Sequence, residues 1–190
     1  MKKLNSKAFV TIGMLSAFSY VLMLLNFPLP GFPSFLKVDF SDIPAIIAAM
    51  IMGPVAGILV ELLKNILDLL TTGSETGVPV GHIANFVTGI LFVLTVYFIY
   101  LKVKSKKGLA VALVTSTIVT AVVMSVLNYY VFLPMYYIFL GYSAEDLPLI
   151  FAVTAILPFN LVKGAVISIV FILLFAKMNK WIHKQQVAYK

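Results

Sequence analysis

The stretch LKVKSKKG at residues 101–108 sets Lys102, Lys104, Lys106 and Lys107 between two long apolar runs, 80–101 and 108–133. At about 1.5 Å per residue, each run can cross the ~30 Å hydrocarbon core of a bilayer as a helix. Working outward, two further basic clusters stand at the ends: Lys2, Lys3 and Lys7, then Lys177, Lys180, Lys184 and Lys190. No carboxylate falls inside any of the three. Lysine beside a membrane-spanning end stays cytoplasmic, so all three clusters are expected on one face, with an even number of crossings between them. The acids Asp39, Asp42, Glu75, Glu145 and Asp146 fall where the outer loops then lie. They carry little topological weight themselves.

Composition narrows the class further. The 190 residues are 62% hydrophobic and 11% charged, more apolar surface than a soluble domain of this size can hide. The net charge of +7 comes entirely from lysine. Placed at helix ends, lysine suits anionic lipid head groups better than nucleic acid. With no arginine there is no bidentate phosphate or base readout, and with no cysteine there are no disulfides or thiolate metal sites. The run from Ala8 to Leu25 follows a basic start but precedes Asn26-Phe27-Pro28, no small-residue cleavage site, and is read as a retained first helix.

Six helices are expected, approximately 8–26, 42–52, 54–70, 80–101, 108–133 and 154–181, in one all-α transmembrane bundle spanning 1–190 with both termini cytoplasmic. Pro28, Pro30, Gly31 and Pro33 end the first. The outer loop 27–41 is unusually apolar, and such a loop is expected to fold back over the bundle mouth as a lid. Ser41 or Asp42 is the expected cap of the second helix, with Pro44 in its first turn. Gly53-Pro54 breaks the long run to Leu70, and two short helices there give the parity that the central lysines require. Pro134 is expected to stop the fifth helix. Tyr129, Tyr130, Tyr136, Tyr137 and Tyr142 suit an outer aromatic belt, and Tyr97 and Tyr100 an inner one. No internal repeat, low-complexity tract or second domain is visible.

Polar groups inside a bilayer are costly and mark function. Counting from the cytoplasmic lysines puts Lys163 roughly 21 Å, Asn85 about 26 Å and Asn128 about 31 Å above the inner boundary. They stand on different helices at a shared outer level, with Gly81 and His82 one turn above Asn85 and the apolar loop 35–40 at the same height. That is a candidate pocket open to the outside. Each residue has a plainer reading. Lys163 can snorkel to the surface, Asn128 can sit at the interface, Asn85 can bond a neighbouring helix, and His82 can be a helix-start residue. Glu61, Lys64, Asn65 and Asp68 share one face of the third helix, where Glu61–Lys64 and Lys64–Asp68 pairs are within reach. This stripe reads either as a proton or cation relay or, preferably, as a mutually neutralised brace. In the first helix Gly13 and Ala17, four apart, with Ser16 and Ala8, offer a small-residue face for bundle packing or for another protein. No Walker A, His-Glu-x-x-His, nucleophile elbow or acidic metal cluster is present, so no catalytic or metal site is assigned.

The run Leu36-Lys-Val-Asp-Phe-Ser-Asp-Ile-Pro44, then Gly53-Pro-Val-Ala-Gly57 and Glu61-Leu-Leu-Lys-Asn65, resembles the substrate-binding S components of energy-coupling-factor vitamin transporters. Gly81-His-Ile-Ala-Asn85, Leu127-Asn-Tyr-Tyr130 and Asn160-Leu-Val-Lys-Gly164 resemble the riboflavin-specific type. The resemblance implies a subunit that captures riboflavin outside the cell membrane, while a membrane coupling subunit and two ATPase subunits supply the power stroke. It implies no enzymatic activity and no cofactor, riboflavin being the cargo. The substrate-binding set is then Leu36, Lys37, Val38, Asp39 and Phe40 in the lid, with Gly81, His82, Asn85, Asn128 and Lys163 beneath. The family's Ala-x-x-x-Ala docking motif has its nearest match in Gly13-x-x-x-Ala17, which departs at the first position. Two other readings stay open: the same scaffold carrying another vitamin (biotin or a flavin precursor), and an intramembrane enzyme using Glu61 and Asp68.

Overall fold

Residues 42–52 are apolar almost throughout, and the chain encloses nearly all of them: every residue from Asp42 to Ile51 is buried. In the computed structural model, which describes residues 6–33, 35–74, 77–141, 143, 145 and 148–189, this short helix is the axis of a helical bundle. The expectations for Lys2, Lys3, Glu75, Tyr142, Asp146 and Lys190 lie outside the described residues.

Helix α1 spans Ser6–Leu24, α2 Asp42–Met52, α3 Pro54–Thr72, α4 Val80–Lys102 and α5 Lys106–Leu127. A short helix α6, Leu133–Leu140, and the long α7, Leu157–Ala188, complete the set. α2 packs on α1, α3, α4 and α7, while α4 packs on α3 and α5, and α5 on α7. α1, α4, the continuous run from α5 to Phe139 and the run from Ala152 through α7 are each long and apolar enough to cross a membrane. Their outward faces agree: Val111, Val114, Ile118, Val122 and Val126 form an exposed aliphatic stripe along α5. Helical spacing of apolar residues away from the core suits lipid, not water.

Gly53 makes the sharp turn between α2 and α3. Its φ of +101° is disfavoured for any residue with a Cβ, and Pro54 then opens α3 at a position where no N–H is needed. Gly89 serves a different end. A Cβ there would lie 2.0 Å from Glu61 Oε2, so only glycine lets α4 approach the buried carboxylate of α3.

Several local expectations change. Pro134 does not stop the fifth helix. The chain loosens into a π-helical segment, Asn128–Phe132, and continues as α6 to Gly141, which turns left-handed at φ +68°. A second π segment, Ala152–Ile156, precedes α7 and its Pro158 in the same way. In both cases the wider turn shifts the hydrogen-bond register just before a proline that cannot donate, so the helix passes through it. Ser41 does not cap α2 with its side chain, because its hydroxyl is spent on Asp39. Ser105, unremarked in the sequence, caps α5 by accepting from the Gly108 N–H at 3.0 Å. The loop after α1 is not wholly irregular. Strands β1 (Phe27–Pro28) and β2 (Lys37–Val38) pair antiparallel, closing it into a narrow ribbon. Tyr100 is a core residue set edge-on to Phe175 at 5.9 Å, and Tyr136 turns inward, whereas Tyr129 and Tyr130 face out. Ala8 and Ser16 point into the bundle while Gly13 and Ala17 are exposed, so the four do not form one face.

Candidate functional site

The C-terminal ends of α1 and α3, the N-terminal end of α4, the α5–α6 junction and the start of α7 surround a cavity of about 440 Å³. That is ample for a drug-sized ligand. Its walls are mixed. Met23, Leu36, Met124, Ile156 and Phe159 supply apolar surface, and Asp68, His82, Asn85, Asn128, Asn160 and Lys163 supply polar groups.

Lys163 does not snorkel. It is 6% exposed and donates to Asp39 Oδ2 at 3.1 Å, joining α7 to the loop between α1 and α2. Asp39 is thus no solvated loop acid. Its other oxygen accepts from the Ser41 N–H at 2.8 Å and from the Ser41 hydroxyl. Burial pushes the Asp39 carboxyl up, but the ammonium groups of Lys163 and Lys64 and the Ser41 hydrogen bonds outweigh it, holding it at about 2 against an ordinary 3.8. The Ser41 hydroxyl in turn accepts from Lys64 Nζ at 2.7 Å. A continuous polar chain therefore links the cavity to the centre of the bundle.

At that centre Lys64, 0% exposed, lies 2.6 Å from Asp42 Oδ1 and 2.8 Å from Glu61 Oε2. The expected Lys64–Asp68 pair is absent. Asp68 instead faces the cavity and meets His82 Nε2 at 3.0 Å across the α3–α4 interface. Lys64 bridges α3 to α2, so the stripe braces two helices. Among the described residues no group of three or more His, Asp or Glu side chains could hold a metal ion.

The asparagines are oriented by their own helices. Asn128 donates one N–H to Met124 O at 2.8 Å, and Asn160 one to Ile156 O at 2.9 Å. Each amide keeps its carbonyl oxygen and second N–H for a ligand. Asn85 donates to Asn65 Oδ1 at 3.3 Å. Of the residues singled out in the sequence, Leu36, Lys37, Asp39, Gly81, His82, Asn85, Asn128 and Lys163 line the cavity. Val38 and Phe40 do not: Val38 is fully buried and Phe40 packs on the main core. Alternate residues of an extended segment face opposite ways, and Lys37 and Asp39 take the cavity side. Gly13 and Ala17 stand far along α1 with no cavity role; a Cβ at Gly13 would meet nothing within 4 Å. Asn160 and Asp68 were missed as site residues. Asn160 precedes Lys163 by one helical turn, a signal the sequence did carry. Thr72, Met124 and Phe159 carried none.

The chain as a whole is similar to known proteins. A profile of the family "ECF transporter, substrate-specific component" matches residues 7–175. The chain is 52% identical over 185 residues to riboflavin transporter FmnP of Bacillus subtilis (strain 168), covering 96% of this chain and 97% of the relative. It is 45% identical over 188 residues to riboflavin transporter RibU of Staphylococcus aureus (strain TCH60), with coverage of 96% and 97%. A solved structure, described as the S component of a bacterial ECF transporter, superposes with a TM-score of 0.78 at 44% identity, covering 93% of this chain and 97% of its own. This chain is a membrane protein that belongs to the substrate-specific components of ECF transporters, a family of transport subunits and not of enzymes.

Proposed function

We propose that this chain is the riboflavin-binding subunit of an ATP-driven ECF importer and takes the vitamin from the extracellular side into the cavity of about 440 Å³. The observation that carries the reading is chemical fit. Two asparagine amides and a lysine converge beside apolar walls, as a flat heteroaromatic ring with a polar edge requires. The relatives named riboflavin transporters agree over nearly the whole chain.

The chain forms one transmembrane domain with six crossings and both termini in the cytoplasm. Contacts at the two ends support this topology. Tyr189 meets Thr11 at 2.6 Å, and Gln186 donates to Met50 O at 2.9 Å, so the end of α7, the start of α1 and the end of α2 lie together. At 11 residues α2 covers only about 17 Å and needs the ribbon above it to complete the crossing. The loop 27–41 is the lid. Phe32 sits edge-on to Phe159 at 5.7 Å and Phe35 faces Tyr136 at 6.5 Å, so its aromatics rest on the cavity walls. The exposed Gly13 and Ala17 offer a smooth strip for a coupling subunit, which two ATPase subunits would drive.

Titration of the purified protein with riboflavin, followed by quenching of flavin fluorescence, tests the assignment. Asn128→Ala and Asn160→Ala should each weaken binding by roughly 5- to 150-fold, the cost of an unpaired buried hydrogen bond. Unchanged affinity in both variants would remove the amides from the site. Biotin as competitor should leave the titration unchanged, and displacement by it would favour a different vitamin.

A further inference from the structure

A buried hydroxyl in α5 lacks the bond that its type usually makes inside a helix. Thr88 and Thr117 each donate to the carbonyl one turn back, to Ala84 O at 2.7 Å and to Leu113 O at 2.9 Å. Ser116 donates across to Phe92 O at 2.7 Å. Thr120, 4% exposed, has no hydrogen-bond partner among the described residues. A buried hydroxyl left so is costly and calls for an explanation. Thr120 borders a second, much smaller pocket of about 10 Å³, together with Asp42, Thr88, Asn160 and Lys163. This pocket lies one helical turn deeper in the bundle than the main cavity. Thr120 stands four residues before Met124 of the cavity wall, and Ile167, which also lines the small pocket, four after Lys163.

We infer that the small pocket is a binding site for one ordered water, held by Thr120 of α5, Asp42 of α2, and Asn160 and Lys163 of α7. A buried water needs about 10–15 Å³ of such space and two to four polar partners. Both conditions are met. The Thr120 hydroxyl can donate or accept. Asn160 gives one N–H to Ile156 O at 2.9 Å and keeps its carbonyl oxygen and second N–H. Asp42 receives Lys64 Nζ on Oδ1 at 2.6 Å, and its second oxygen is a further acceptor. Lys163 has ammonium protons beyond the one given to Asp39. An ion suits the pocket poorly, since a cation meets the Lys163 ammonium and an anion the Asp42 carboxylate. A neutral molecule that donates and accepts meets both. The water forms part of the floor of the larger cavity, whose wall Asn160 and Lys163 share. It also joins α5 to the network of Lys163, Asp39, Ser41 and Lys64.

The site is independent of which cargo the cavity takes, so purified protein without cargo serves for the test. A crystal structure fine enough to resolve waters should show a density peak about 2.5–3.2 Å from Thr120 Oγ1 and from at least one of Asp42, Asn160 and Lys163. Absence of a peak there overturns the site. Thr120→Val keeps the shape of the side chain and removes the hydroxyl. With the water bound, it should lower the midpoint of thermal unfolding in detergent by about 2–4 °C, the effect of one lost hydrogen bond in a chain of this size. A midpoint that stays or rises means that the hydroxyl was unpaired and the pocket dry, because methyl then relieves its burial cost. Replacing sodium by choline in the buffer should leave the wild-type midpoint unchanged. A midpoint that rises with sodium makes the occupant a cation and overturns the assignment to water. If Thr120→Val fails to fold, the density peak and the sodium exchange decide.

Discussion

At the scale of the residue, the Asp39–Lys163 pair ties the segment before α2 to α7 and has the clearest energetic signature. Removing one partner of a buried ion pair leaves the other uncompensated, so Lys163→Met should destabilise the protein by about 3–5 kcal/mol. Adding Asp39→Asn should recover a large part of that in thermal unfolding in detergent. Because the folded Asp39 carboxyl sits at about 2 against 3.8, its contribution is full above 3.8 and is lost as pH falls through about 2. The stability gap between wild type and Asp39→Asn should therefore be flat above pH 4 and shrink toward pH 2; a gap that widens on acidification would contradict the pairing. Counting helical rise put Lys163, Asn85 and Asn128 at a shared level in the sequence reading, and all three line the cavity. The pairing of Lys163 with Asp39, 124 residues away, was not legible, because no local pattern records it. The Lys64–Asp68 expectation failed for a directional reason. Helical side chains lean toward the N-terminus, so Lys64 reaches back to Glu61 and Asp42, and Asp68 is left for His82.

At the scale of the element, the helices and their breaks followed from apolar length, proline and glycine, and α2 matched its expected bounds of 42–52 because Gly53-Pro54 leaves little freedom. Pro134, inside a longer helical run, was misread as a stop. A sequence marks where an N–H is missing but not that a preceding π turn absorbs the loss. α1 carries a prediction of its own kind. Its outward face exposes Gly13 and Ala17 beside Phe9, Met14 and Phe18. Leucine at Gly13 or Ala17 adds bulk where nothing in this chain packs, so Gly13→Leu and Ala17→Leu should leave riboflavin affinity within about two-fold, as exposed substitutions usually do. Copurification with a coupling subunit should fall sharply. Unimpaired copurification in both variants would move the docking face elsewhere.

At the scale of the whole molecule, two designs share one chain. A braced centre, where Lys64 holds α3 to α2, supports a chamber whose walls are part polar and part apolar. The long apolar runs made the helical membrane character visible in the sequence, and lysine segregation led to the expectation of cytoplasmic termini. The chamber's composition was only half visible, because walls built by Met124, Ile156 and Phe159 look like any other apolar helix surface until the helices are assembled. The most direct measurement is the identity of the small molecule released when protein purified from its native membrane is denatured. Riboflavin in near one-to-one amount is expected, yellow and with quenched fluorescence before release. A different vitamin, or protein that is colourless and stays so after incubation with riboflavin, would contradict the central claim.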